Sequence, residues 1–407
     1  MARQSSRRRS QAADEDTLAR LRAPRLAEGL VGHGQQARQL LEALRSGRVG
    51  HAWLFTGERA LGKATLAFAF ARALLKSSEP ASATTAADGT LFGEQPLAPM
   101  EDDESAEPVA RLFAWGNEEG LRRRLAEGTE PRALILDAGE IAVTEGGRAS
   151  QQIRVDDVRR IQHFLAMRAQ AGERRIVVID DADLMTTAAA NALLKMLEEP
   201  PPDVVFLLVA HRLHRLPATI RSRCRQLRFH PLDAADVADW LAIRCPETAQ
   251  DDRIAAAGLA GGAPGYALRL LEDGCLAHYR ALLKAFAQKE EDPADFSVRS
   301  QGIETMTKLE PAQQRLLLEL LQALPGRLLR DLLRSTQGRT VGEDTGRLLA
   351  EEQALRERIG AAPDAVERLH IFHEELVYRL EEAERLYLDL KAVLWTLLAR
   401  FDALSEA

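Results

Sequence analysis

The chain has 407 residues, 46% of them hydrophobic and 28% charged, with a formal net charge of −7. That length exceeds one ordinary core and sets an expectation of two or three domains, while the hydrophobic fraction excludes wholesale disorder. No apolar run approaches the ~18 residues of a membrane span, and the negative charge argues against a surface built for nucleic acid.

Three dispersed cysteines (Cys224, Cys245, Cys275) exclude a disulfide framework or a CxxC zinc cluster and point to a reducing, cytoplasmic setting. Residues 1–25 read as a disordered tail. Its cluster Arg7, Arg8, Arg9 could touch phosphate or simply be solvated, and no apolar stretch follows it as a secretory signal would need.

Beyond Pro24, a turn leads into an amphipathic helix with Ala37, Leu40, Leu41 and Leu44 at helical spacing. The apolar strand HAWLF follows, then a glycine turn from Thr56 to Gly62 and the helix KATLAFAFARALL, the opening of a nucleotide-binding βαβ unit. Residues 77–132, poor in apolar side chains over their first half, read as a flexible insertion. ALILDAG is the second strand, VDDVRRIQHFLAMRA a helix, and RRIVVIDDADLM a third strand ending on carboxylates. TTAAANALLKMLEEPPP is a helix stopped by its prolines, DVVFLLVA a fourth strand and RQLRFH a short fifth. Near-continuous apolar strands alternating with helices imply a parallel sheet covered on both faces. After Pro231 only helical patterns recur. The apolar series Leu369, Phe372, Leu376, Leu380, Ala383, Tyr387, Leu390, Leu394, Leu397, Phe401 predicts one long helix.

The stretch from Gly57 to Ala64 fits G-x-x-x-x-G-K-[ST] except at its last position. Glycines there let backbone N–H groups turn toward phosphate, and Lys63 would reach the β- and γ-phosphates. Ala64 lacks the hydroxyl that would hold Mg²⁺, and Thr65 comes one residue late, about 100° around the helix. Nucleotide binding, ATP or ADP, is therefore compatible with the loop, whereas efficient hydrolysis does not follow. Asp180 and Asp181 stand where a Walker B pair would, with Asp180 the residue for a weak Mg²⁺ site. Asp181 is one methylene short of the glutamate that orients water. Carboxylates at a strand end also cap helices, so a structural role stays open. Arg221, Arg223 and Arg225 surround Cys224; on composition they are either a solvated rim or a trans-acting finger.

The block N191-A-L-L-K-M-L-E-E-P-P, then D-V-V-F-L-L-V-A, then L-P-A-T-I-R-S-R-C closely resembles the clamp-loader subunits of bacterial DNA polymerase III holoenzyme, the gamma/tau ATPase and its relative delta-prime. G261-G-A-P-G-Y-A-L-R-L-L is similar to a lid segment of the same family, so the resemblance runs clearly from Leu26 to Leu271.

It implies an α/β AAA+ P-loop domain over 26–230, a small helical lid over 231–285 and an all-α collar over 286–407. It further implies a hetero-pentameric ring with gamma/tau and delta subunits that uses ATP to place the sliding clamp on primer–template DNA. In that frame Arg223 would be the arginine finger presented to a neighbour. Gly57, Gly62, Lys63, Ala64, Thr65 and Asp180 occupy the cofactor-binding positions. Asp181 is the degenerate second Walker B residue.

The departures, Ala64, Asp181, Gly265 for a second-sensor arginine, and Ala210–His211 for a Thr pair, fit the delta-prime branch. That branch is a largely non-hydrolytic stator without a polymerase site of its own. The four-cysteine zinc module of many relatives is absent, since 77–130 holds no cysteine. A working ATPase is the rival reading, and direct DNA binding a third.

Overall fold

The computed structural model describes residues 23–78, 107–115, 117–144, 152–167, 173–287, 293–336, 349–359, 364–386 and 388–406. The chain divides into two compact units, Met1–Pro231 and Leu232–Ala407.

In the first unit, α1 (Gly34–Arg45) leads to β1 (Ala52–Thr56), and α2 (Lys63–Ser77) follows the glycine turn. Five strands form one sheet in the order β2-β3-β4-β1-β5, with β2 at Ala133–Asp137, β3 at Arg175–Asp180, β4 at Val204–Ala210 and β5 at Arg225–Arg228. Every pairing is parallel. This order puts β1, which feeds the glycine turn, between β4 and β5, as expected of a P-loop domain. Alternation along the strands assigns the two faces. Leu54, Val177, Phe206 and Leu208 pack with residues of α6 (Val155–Ala166) and α7 (Thr187–Glu198). On the other face Trp53 meets Phe70 of α2 edge to face, 5.5 Å between ring centroids. The helix α2 is buried continuously from Leu66 to Leu75, as a helix laid centrally on a sheet must be.

Part of the sequence expectation fails here. Within 77–132, residues 79–106 lie outside the described residues, but α3 (Pro108–Trp115) and α4 (Glu119–Glu127) are helices, not flexible chain. Val109, Leu112, Phe113, Leu121 and Leu125 are buried, enough apolar surface to dock two short helices. The tail reading extends too far as well: residues 1–22 lie outside the described set, yet residues 23–26 are helical and Arg25 is buried. A further short helix, α5 (Ala138–Thr144), directly follows β2, and α8 (Ala218–Arg223) precedes β5.

The second unit is helical among the described residues: α9 (Ala234–Arg244), α10 (Gln250–Leu259), α11 (Pro264–Glu272), α12 (Cys275–Ala287), α13 (Pro293–Thr307), α14 (Pro311–Thr336), α15 (Ala350–Ile359), α16 (Ala365–Leu386) and α17 (Leu390–Glu406). One apolar cluster runs from Val237 to Phe401. Two buried polar networks brace it. Tyr279 donates to Glu352, which also accepts from Arg327 Nε at 2.9 Å and from the Leu349 backbone N–H at 3.1 Å. Arg299 grips Asp402 with both Nη atoms, at 2.8 and 2.9 Å, and Arg358 reaches the same carboxylate.

The single long helix expected over 369–401 is instead the pair α16 and α17. Leu388 closes back on the Ala383 carbonyl, and the Asp389 carboxylate caps the new helix by accepting from Lys391 N–H at 3.1 Å. Among the described residues no helix is long and apolar enough to cross a membrane.

Candidate functional site

The loop between β1 and α2 is shaped by residues in the left-handed region: Gly57 at φ 146°, Ala60 at 60° and Gly62 at 88°. A Cβ on Gly57 would lie 2.6 Å from the Phe229 carbonyl oxygen, a backbone atom that cannot yield, and one on Gly62 would collide with Leu30. Lys63 opens α2 at 2% exposure, its ammonium donating to the Glu58 carbonyl of the same loop. Burial pushes its pKa down to about 8, with Asp180 pulling the other way. Ala64 and Thr65 sit half-buried in the first turn behind it.

Across the site, β2 and β3 end side by side, with Asp137 in register with Asp180. Two carboxylates at neighbouring strand ends repel. Burial, then Asp181 and Asp137, lift Asp180 to about 7, and burial raises Asp137 as well although Arg25 opposes it. Arg25 answers the cluster. Its Nη2 lies 2.9 Å from both Asp137 and Glu140, its Nη1 donates to the Ala126 carbonyl, and its guanidinium stands over Phe68 at 5.4 Å.

Asp181 adopts φ 54° and is held from two sides. His211 Nε2 lies 2.8 Å from its Oδ1, and Arg59 of the glycine loop reaches the same oxygen at 3.2 Å. Burial would raise this carboxyl, but the His211 hydrogen bond and the nearby cations win and lower it. His211 is itself fixed by Asp183, which accepts from the backbone N–H groups of His211 and Arg212 at 2.8 and 3.3 Å. Burial lowers the His211 pKa, so the ring favours its neutral form.

The three arginines around Cys224 differ. Arg225 stacks over Trp53 at 4.6 Å, and Arg221 is half-buried. Arg223 ends α8 with its guanidinium partly exposed, Nη1 donating to the Thr219 carbonyl and Nη2 2.6 Å from Glu198. Cys224 between them is buried, and burial pushes its thiol up to about 12, which leaves it a small apolar filler.

The structure therefore gathers Gly57, Gly62, Lys63, Asp180 and Asp181 at one end of the sheet, at the carboxyl ends of its strands where α/β folds bind ligands. Arg223 pairs instead with Glu198 and the Thr219 carbonyl. The loop's glycines and Lys63 fit a phosphate. The rest does not fit magnesium-dependent hydrolysis, because Ala64 offers no oxygen and Asp181 is committed to Arg59 and His211. Sequence reasoning missed Arg25, Asp137, Glu140, Arg59 and Glu198. Of these only Asp137 left a signal, since it ends its strand just as Asp180 does.

Residues 123–233 match the family model described as DNA polymerase III, delta subunit. A delta-prime subunit of DNA polymerase III from Pseudomonas aeruginosa is 34% identical over 150 residues, 37% of this chain and 43% of that relative. The Escherichia coli delta-prime subunit is 41% identical over 125 residues, 31% of this chain and 37% of its own length. A tau/gamma subunit from Haemophilus influenzae is 28% identical over 225 residues, covering 55% of this chain and 27% of that relative. The matched stretches thus span less than half of each of these relatives. Over the matched stretches the chain is similar to clamp-loader subunits of DNA polymerase III, delta-prime foremost and tau/gamma next.

Proposed function

We propose that the chain is a largely non-hydrolytic subunit of a cytoplasmic sliding-clamp loader, working with gamma/tau- and delta-type subunits in a five-membered ring. It presents Arg223 to the nucleotide bound by an adjacent gamma/tau-type subunit. In this reading the P-loop domain is a rigid body, residues 231–285 act as the lid and 286–407 as the collar. The sliding clamp and primer–template DNA are met through the complex.

One observation carries the reading: the residue that would orient water, Asp181, is tied to Arg59 and His211 in its own domain. Arg223 instead stands partly exposed at the end of a helix braced on the sheet. A planar guanidinium on such a turn suits a neighbour's phosphate, stabilising the charge that develops as the γ-phosphoryl group leaves.

The retained glycine loop and Lys63 favour a second reading, an active clamp-loader ATPase with nucleotide in this chain. Hydrolysis by reconstituted rings carrying Arg223→Ala or Lys63→Ala separates the two. The proposed function predicts loss at the partner's site with this chain's own site irrelevant, whereas unchanged hydrolysis in Arg223→Ala would remove the finger.

A further inference from the structure

The two sequence blocks that carry the family resemblance, L-E-E-P-P and S-R-C, meet in space through one ion pair. Glu198 is the last residue of α7, its backbone fixed by buried Leu197 before it and by the prolines after Glu199, which prevent the helix from continuing. Arg223 is the last residue of α8, anchored by buried Ile220 and Cys224 in the same apolar cluster as Leu193 and Leu197. Between these two helix ends the Glu198 carboxylate meets Arg223 Nη2 at 2.6 Å, and the Thr219 carbonyl takes Nη1 at 3.2 Å.

A guanidinium has five N–H donors in a fixed fork. With one donor on each Nη so engaged, its orientation is set while the other donors stay available. The adjacent Glu199 carries the same charge but is not among Arg223's partners.

We propose that Glu198 is a positioning residue for Arg223: it holds the guanidinium at the rim of α8 in the orientation from which it reaches a neighbour's phosphate. This rests on the finger reading above. Pre-orientation matters because a free arginine side chain spreads over many rotamers and must be ordered at each encounter. An incoming phosphate, more highly charged than one carboxylate, uses the fork's remaining donors.

The test is ATP hydrolysis by the ring reconstituted from the full-length chain with gamma/tau- and delta-type subunits. Glu198→Ala should lower the Arg223-dependent share of that hydrolysis, the difference between the parent and Arg223→Ala rings, about two- to fivefold, the range an exposed ion pair supports. Glu198→Gln, whose amide oxygen still accepts, should recover most of that, and Glu199→Ala should change nothing. In an Arg223→Ala background Glu198→Ala should cost nothing further, which a merely structural glutamate would not reproduce. If Glu198→Ala hinders assembly, Glu198→Asp, one methylene short, carries the same comparison.

Undiminished hydrolysis in Glu198→Ala, or an equal fractional loss with and without Arg223, overturns the proposal while leaving the finger intact. Normal hydrolysis in Arg223→Ala alone would instead remove the finger and the positioning role together.

Discussion

Replacing Arg25 by alanine should destabilise the N-terminal unit far more than removal of an ordinary arginine. Its side chain is 1% exposed and bridges Asp137, itself 4% exposed, to Glu140. Removing one partner of a buried pair leaves a buried charge without compensation, at a cost of about 3–5 kcal/mol. Asp137 limits that figure from above, because burial already raises its pKa and without Arg25 it can take up a proton. The expectation is therefore about 3 kcal/mol near neutral pH, or roughly 6–12 °C in Tm for a unit of this size. Urea unfolding at fixed pH reads it, with an unchanged slope showing that stability alone has moved. Adding Asp137→Asn to Arg25→Ala should restore part of the loss, since the offending carboxylate is gone. A loss below about 1 kcal/mol, or a double mutant worse than the sum of its parts, would refute the argument.

Two further outcomes follow from buried bases. Burial lowers His33 to about 4, so its contribution is fully present above pH ~6.5 and is lost as pH falls through the folded value. Asparagine suits the left-handed backbone at φ 59°. Between pH 7 and 4, His33→Asn should therefore lose about 3 kcal/mol less stability than the parent; parallel stability curves would contradict it. At pH 7, below both its folded and unfolded values, Lys63 carries the penalty of its buried charge. Lys63→Met should accordingly raise stability by roughly 1–3 kcal/mol. The isolated chain should release phosphate at well under ~1 s⁻¹ with or without that change; faster release abolished by the methionine would show a working site.

Much of the P-loop domain is legible in the sequence because its signals are local. The strands are short apolar runs such as Val204–Ala210, buried throughout, and the loop announces itself through glycines that the backbone requires. The acids of the candidate site are legible only in part. Asp180 and Asp181 stand out beside the glycine loop, but the role of Asp137 depends on strand register, and Arg25 meets carboxylates 112 and 115 residues away. Nothing local marks Arg59 and His211 as the pair that holds Asp181.

Helices α3 and α4 escape notice because each buries only a few side chains beside a long polar stretch. The break between α16 and α17 is hidden for the opposite reason. The apolar spacing continues through it, and only the capping aspartate at 389 betrays a new helix. Composition presents Arg221, Arg223 and Arg225 as equals; Trp53 and Glu198, distant in sequence, make them different.

The central claim is tested most directly by Arg223→Ala in a ring reconstituted with gamma/tau- and delta-type subunits. Because Arg225 is stacked on Trp53 and Arg221 is half-buried, the exposed Arg215 is the better charge-matched control. An arginine finger is worth about 10³–10⁵ in rate at its own site, but this one serves a single site of the ring. The account predicts an assembled complex whose total hydrolysis falls in part and whose clamp loading falls further, with Arg215→Ala like the parent. An Arg223→Ala ring that hydrolyses ATP and loads clamps at the parent rate would contradict it.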